Sequence, residues 1–207
     1  MKKEENIGLL VTLKAKKGKE SSVKDFLLGG LEIVNGEEET VSWFVYQIDD
    51  QTFGIFDTFT NEAGRDNHLT GSVAKALMAN ADELLEDFDA VKSIKKADIV
   101  ALDIKKGNQD MGLLVTLQAK KGKEDEVESF LKVGQTIVHN KEPKTVSWYA
   151  VNLGEGTFAI FDTSHDEEGR LFHLNGEVAA ALMEKAPEIL EDFKVDDIKK
   201  IDVLAAK

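Results

Sequence analysis

The chain says most things twice. GLLVTLKAKKGKE at 8–20 returns as GLLVTLQAKKGKE at 112–124, TVSW at 40–43 as TVSW at 145–148, and LEDF at 85–88 as LEDF at 190–193. The offset is 104, becomes 105 after a one-residue insertion near Lys141, and is 104 again before the last strand. Over the aligned stretches more than half the positions are identical. This period is too long for a solenoid unit and is the length of a small domain, so the pattern reads as a tandem domain duplication. The expected domains are 1–104 and 111–207. The joint is the short polar stretch from Lys105 to Asp110, with Gly107 inside it. Whatever fold one copy takes, the other must take too.

One copy is enough to read the order of elements. In the second, Met111 to Ala119 is apolar and β-branched and stops at Lys120-Lys121-Gly122, a strand and a turn. From Lys123 to Val138, Val127, Phe130, Leu131, Val133 or Gly134, and Ile137 or Val138 fall at helical spacing behind an acidic first turn, Glu124-Asp125-Glu126. Val146 to Leu153 and Thr157 to Thr163 are strands joined by the hairpin signal Gly154-Glu155-Gly156. Asp166 is the expected N-cap of the next helix, whose stripe is Leu171, Leu174, Val178 and Leu182, with Gly176 as a break. Ile198 to Ala206 is the last strand. The order β-α-β-β-α-β predicts an α+β fold of two ferredoxin-like units, each a four-stranded antiparallel sheet under two helices. Apolar residues on both strand faces need a cover on the second face. The other copy is the economical cover, so the two units are expected to form an intramolecular pseudo-dimeric α/β barrel.

Composition narrows the partners. The net charge of −13 over 207 residues repels phosphate backbones, which argues against nucleic acid. The absence of cysteine excludes disulfides, thiolate nucleophiles, iron–sulfur clusters and Cys-ligated zinc. The opening MKKEEN lacks the apolar stretch of a signal peptide, and no apolar run approaches the roughly 18 residues of a membrane span. No membrane association and a cytoplasmic location are expected. One His beside one Asp per copy is thin for a metal site, and KKGKE is not a phosphate loop.

KKGKEDEVESFL, TVSWYAV, GTFAIFDTSHDEEGRLFHLNGEVAAALMEKAPEIL and KKIDVLAAK together resemble the antibiotic biosynthesis monooxygenase superfamily. The resemblance covers nearly all of both copies. It implies ferredoxin-like units paired into a dimeric α+β barrel. It further implies oxidation of a small phenol or quinol by O2 with no metal, flavin or other cofactor. Other members degrade haem. That branch carries its haem-binding His near the position of Met183 and Met78, a Trp where this chain has His173, and an Asn where it has Val115 and Val11. Those departures argue against haem, and Met78 and Met183 are expected in the helix core.

The candidate site lies in FDTSHDEEGRLFH and its first copy, FDTFTNEAGRDNH. Arg170 and His173 share a helix face, as do Arg65 and His68. In the functional reading, His173 and His68 act as base or hydrogen-bond partner to a phenolic hydroxyl, and Arg170 and Arg65 hold the resulting anion. Asp162 and Asp57 orient the His or bind substrate. Trp148, Trp43, Phe161 and Phe56 are the candidate substrate-binding aromatics. In the alternative, these residues only cap, pair and pack, and the protein is a non-catalytic ligand-binding or stress-related module. His139, His165 and the acid runs Glu37-Glu38-Glu39 and Glu188 to Asp192 read as solvated surface. The partners expected are a small aromatic molecule and O2. The pseudo-dimer leaves room for a further homodimer.

Overall fold

A computed structural model describes residues 4–207. It divides into two compact units, one running up to Ala97 and taking in Val203–Lys207, the other Asp98–Asp202. The division does not follow the repeat at its ends. Strand β4 (Ile94–Ile104) and strand β8 (Ile198–Ala206) each begin in one unit and finish in the other.

Unit 1 contains β1 (Ile7–Lys14), α1 (Glu20–Asn35), β2 (Thr40–Gln47), β3 (Thr52–Phe59), α2 (Glu62–Leu69), α3 (Ser72–Leu84) and the short α4 (Ala90–Ser93). β3 lies between β1 and β2, antiparallel to both. Lys207, at the end of the chain, exchanges two backbone hydrogen bonds with Trp43 of β2. The helices pack because Val23, Leu27, Gly30 and Val34 of α1 fall on one face. They meet Val73, Leu77 and Ala81 of α3 and, from the sheet, Trp43, Val45, Phe53, Ile55 and Phe59. Each buried Val, Leu, Ile or Phe side chain of this set stabilises the fold by about 2 kcal/mol. The alternate residues Phe44, Tyr46 and Phe56 point to the opposite sheet face and are also buried.

Unit 2 contains β5 (Met111–Gln118), α5 (Glu124–Lys141), β6 (Thr145–Gly154), β7 (Thr157–Ser164), α6 (Glu167–Leu174), α7 (Glu177–Ile189) and a 3-10 turn (Val195–Asp197). Its strands lie in the order β8, β5, β7, β6, β4, every pairing antiparallel. The hairpin expected at Gly154-Glu155-Gly156 is present, with φ of 84°, 52° and 73°, a left-handed path that glycine takes without strain. Asp166 caps α6 by accepting a hydrogen bond from the Gly169 amide at 2.8 Å.

Two packing expectations need correction. The stripe counted from Leu171 to Leu182 ignores the phase lost at Asn175 and Gly176, where α6 ends and α7 begins. Val178 and Leu182 are buried, Leu171 is 40% exposed, and the buried face of α6 is Gly169, Arg170 and His173. Met78 and Met183 are not core residues. They sit on the outer faces of α3 and α7, 46% and 36% exposed.

Candidate functional site

In each unit a short helix carries its His back onto the end of a strand. β3 ends by burying Asp57, Asn61 then caps α2 through the Gly64 amide at 3.1 Å, and two turns later His68 returns to the sheet. Its Nε2 lies 3.2 Å from Asp57 Oδ2, and its Nδ1 lies 2.6 Å from Glu37 Oε2. The Phe59 ring flanks it with centroids 5.4 Å apart. Unit 2 repeats the cluster. His173 Nδ1 meets Glu142 Oε2, and its Nε2 is 3.4 Å from Asp162 Oδ2, an ion-pair separation. Both imidazoles are buried, and Asp57, Asp162 and Glu142 are each only 1% exposed.

This surrounding decides the protonation state. Burial alone would push the His68 pKa down. The hydrogen bonds and charges of Asp57 and Glu37 outweigh it and raise the value to about 9. Burial likewise opposes the charge on His173, while Asp162 and Glu142 carry its pKa to about 10. Both are imidazolium ions at neutral pH, with both ring nitrogens protonated. Burial pushes the Asp57 carboxyl up, against the pull of His68. Its Oδ1 has no hydrogen-bond partner.

Glu37 and Glu142 are the residues missed in the sequence, Glu37 having been read as solvated surface with its neighbours. Thr40 Oγ1 donates to Glu37 at 2.7 Å, and Thr145 Oγ1 to Glu142 at 3.3 Å. Glycine clears the space beside them, for a Cβ at Gly176 would stand 2.5 Å from Glu142 Oε1. The signal was present, because Glu37 and Glu142 correspond at the offset of 105 that also aligns the two TVSW motifs.

The other candidates divide. Trp43 stands across from Asp57 in the β2–β3 register and Trp148 across from Asp162 in β6–β7, so each shares a sheet face with the imidazole cluster. Both indoles are fully buried, and neither Nε1–H has a hydrogen-bond partner. The arginines turn to acids instead. Arg170 donates to Ile201 O at 3.0 Å and pairs with Asp202 and Glu167. Arg65 reaches Glu62 at 3.5 Å. Phe56 and Phe161 lie on the opposite sheet face from Asp57 and Asp162, and Phe56 stacks on Phe44 at 6.2 Å. The structure therefore does not bring these two rings to the imidazoles. His139 and His165 are exposed and face Asp103 and Asp110. Among the described residues no group of three or more His, Asp or Glu has metal-holding geometry.

Two cavities flank the cluster in unit 1. One, of about 320 Å³, lies between α1, α3 and the sheet, lined mainly by Leu27, Gly30, Ile33, Trp43, Ile55 and Leu77. The second, of about 470 Å³, is bordered by Glu37, Thr40, His68, Gly71 and again Ile33. An apolar chamber thus adjoins a buried ion cluster with Ile33 between them.

The fold is that of a group of monooxygenase-like structures. A candidate monooxygenase from Fusobacterium nucleatum subsp. nucleatum matches 98% of this chain and 94% of its own, with a TM-score of 0.81 at 17% identity. One from Lactobacillus acidophilus NCFM matches 98% of this chain and 96% of its own, with a TM-score of 0.80 at 12% identity. A protein of unknown function from Nitrosomonas europaea is 40% identical over 51% of this chain and 99% of its own, with a TM-score of 0.46. No family model and no curated protein matches the chain. No helix among the described residues is long and apolar enough to cross a membrane.

Proposed function

We propose that this chain is a cofactor-independent monooxygenase of the antibiotic biosynthesis type, built from two ferredoxin-like units and oxidising a small phenol or quinol with O2. The observation that carries the reading is the apolar cavity of unit 1, walled by Trp43 and Ile55, with Asp57 next along the same sheet face. An aromatic ring fits such a chamber, and proton removal at its edge starts the chemistry. The imidazolium state changes the roles first assigned. Asp57 and Asp162 take the phenolic proton. His68 and His173, already charged, stabilise the anion electrostatically. Arg170 ties α6 to β8 through Ile201 O and Asp202, whereas Arg65 pairs with Glu62 within α2. The deprotonated ring then forms a carbon–oxygen bond to O2. The peroxide anion takes the proton back from the carboxylate, and the resulting hydroperoxide loses water, so phenol and O2 give quinone and water. One oxygen atom is retained.

Oxygen-electrode assays against phenols, quinols and anthrones test this. Uptake above background is expected, falling at least tenfold in Asp57→Asn/Asp162→Asn. Background rates across the panel, or full activity in that double variant, would sink the proposal.

The second reading, a non-catalytic ligand-binding module, is favoured by one observation: both ring nitrogens of each His face carboxylates of the protein itself. It expects ligand binding without oxygen consumption.

A further inference from the structure

Just past β4 and just past β8, a lysine reaches the same spot in each unit. In unit 2, Lys105 follows β4, and its Nζ lies 3.2 Å from each of three backbone carbonyls, those of Val138, Glu142 and Thr145. Asp103 Oδ2 holds the same ammonium at 2.7 Å. In unit 1, Lys207 follows β8, and its Nζ donates to Val34 O and Glu37 O at 2.7 Å each. Val34 and Val138 are counterparts in the repeat, as are Glu37 and Glu142. The lysines are not, because at the offset of 104 Lys207 stands opposite Asp103. The two copies therefore bring an ammonium to the same pair of carbonyls from different places in the sequence.

The carbonyls concerned belong to the turns that carry the two glutamates. α1 ends at Asn35 and α5 at Lys141. The last carbonyls of a helix lack partners within it, and a cation beside them is favoured by the helix dipole. Glu37 N–H donates back to Val34 O at 2.9 Å, and Glu142 N–H to Val138 O at 3.1 Å. Each lysine bridges the first and last carbonyl of that turn. The last residue of the turn is the one whose carboxylate meets the imidazole. Such a carboxylate needs bracing, because two carboxylates on one imidazolium repel each other. Glu37, with its side chain 22% exposed, also has water within reach. Thr40 and Thr145 steady the glutamate side chains through their hydroxyls, whereas the lysines fix the backbone behind them.

We propose that Lys105 and Lys207 are positioning residues, which pin Glu142 and Glu37 against the imidazoles by bracing the turn behind each long helix. Asp103, whose other oxygen meets His139 Nδ1 at 2.8 Å, fixes Lys105 in its turn. These contacts stand apart from the oxygenase reading. Only their effect on turnover rests on it, since there the charged imidazoles stabilise the phenolate.

The imidazoles report on the brace. His68 faces Asp57 and Glu37, and His173 faces Asp162 and Glu142, with the buried Arg65 and Arg170 on their own helices. The protein has four His, so proton NMR across a pH titration follows each ring, assigned with single His→Gln variants. Lys105→Met is expected to free Glu142 and bring the His173 pKa down from about 10 toward 6.5, while His68 stays near 9. Lys207→Met should lower His68 and spare His173. The direction separates bracing from direct charge, because loss of a nearby cation by itself raises an imidazole pKa. Lys105→Gln and Lys207→Gln, which keep a shorter donor, should move the same rings the same way and replace a methionine variant that does not fold. A rise, an unchanged value, or equal falls of both imidazoles in a single variant would overturn the assignment. In the oxygenase reading kcat falls with the pKa and KM holds. The expected falls in a protein that takes up no oxygen would sink the oxygenase reading and leave the lysines in this role. Oxygen uptake with unmoved imidazoles would do the reverse.

Discussion

At the scale of single residues, the imidazolium between two carboxylates dominates. Removing His173 by alanine would leave Asp162 and Glu142 buried and uncompensated, at a cost of about 3–5 kcal/mol. Urea unfolding measures that loss, and a change below 1 kcal/mol would mean the cluster is not buried as described. The pH dependence has a definite sign. Each His has a folded pKa above its unfolded value of 6.5, so its stabilisation is complete below pH 6.5. It is lost as pH rises through about 9 for His68 and about 10 for His173. The thermal midpoint of the native protein should therefore decline across that window. In His68→Gln/His173→Gln this part of the slope should vanish, and an unchanged slope there would remove the two residues as its source.

At the scale of elements, glycine placement sets the cluster. Gly176 separates α6 from α7 and leaves room for Glu142. Gly176→Ala should displace that carboxylate and move the His173 pKa down from about 10 toward 6.5, read from the imidazole proton shifts across a pH titration. A pKa that stays near 10 would show that Asp162 alone sustains the charge. Strands and helices were legible here because alternation and helical spacing report directly on burial. The hairpin at Gly154-Glu155-Gly156 and the Asp166 cap were legible because each has a local chemical signal. Leu171 misled because a stripe was counted through a glycine break, and Met183 because an apolar side chain was equated with the core. Glu37 was hidden for a different reason: it was read with its acidic neighbours, although only Glu37 of the three recurs as an acid, Glu142, in the second copy.

At the scale of the whole molecule, the internal repeat is the feature most visible in sequence, and the division into units is the least. Periodicity shows that β4 and β8 are strands, yet it does not say which neighbours they pair with, and both cross the boundary between units. Copies identical at more than half of their aligned positions also suggest equal roles. The central claim is that one atom of O2 enters an aromatic substrate without a bound cofactor. Mass spectrometry of the product formed under ¹⁸O2, with protein freed of metals and chromophores, tests it most directly. The account predicts a quinone carrying a single ¹⁸O, with the other atom in water. A product with no ¹⁸O, or one formed only after a metal or flavin is restored, would contradict it.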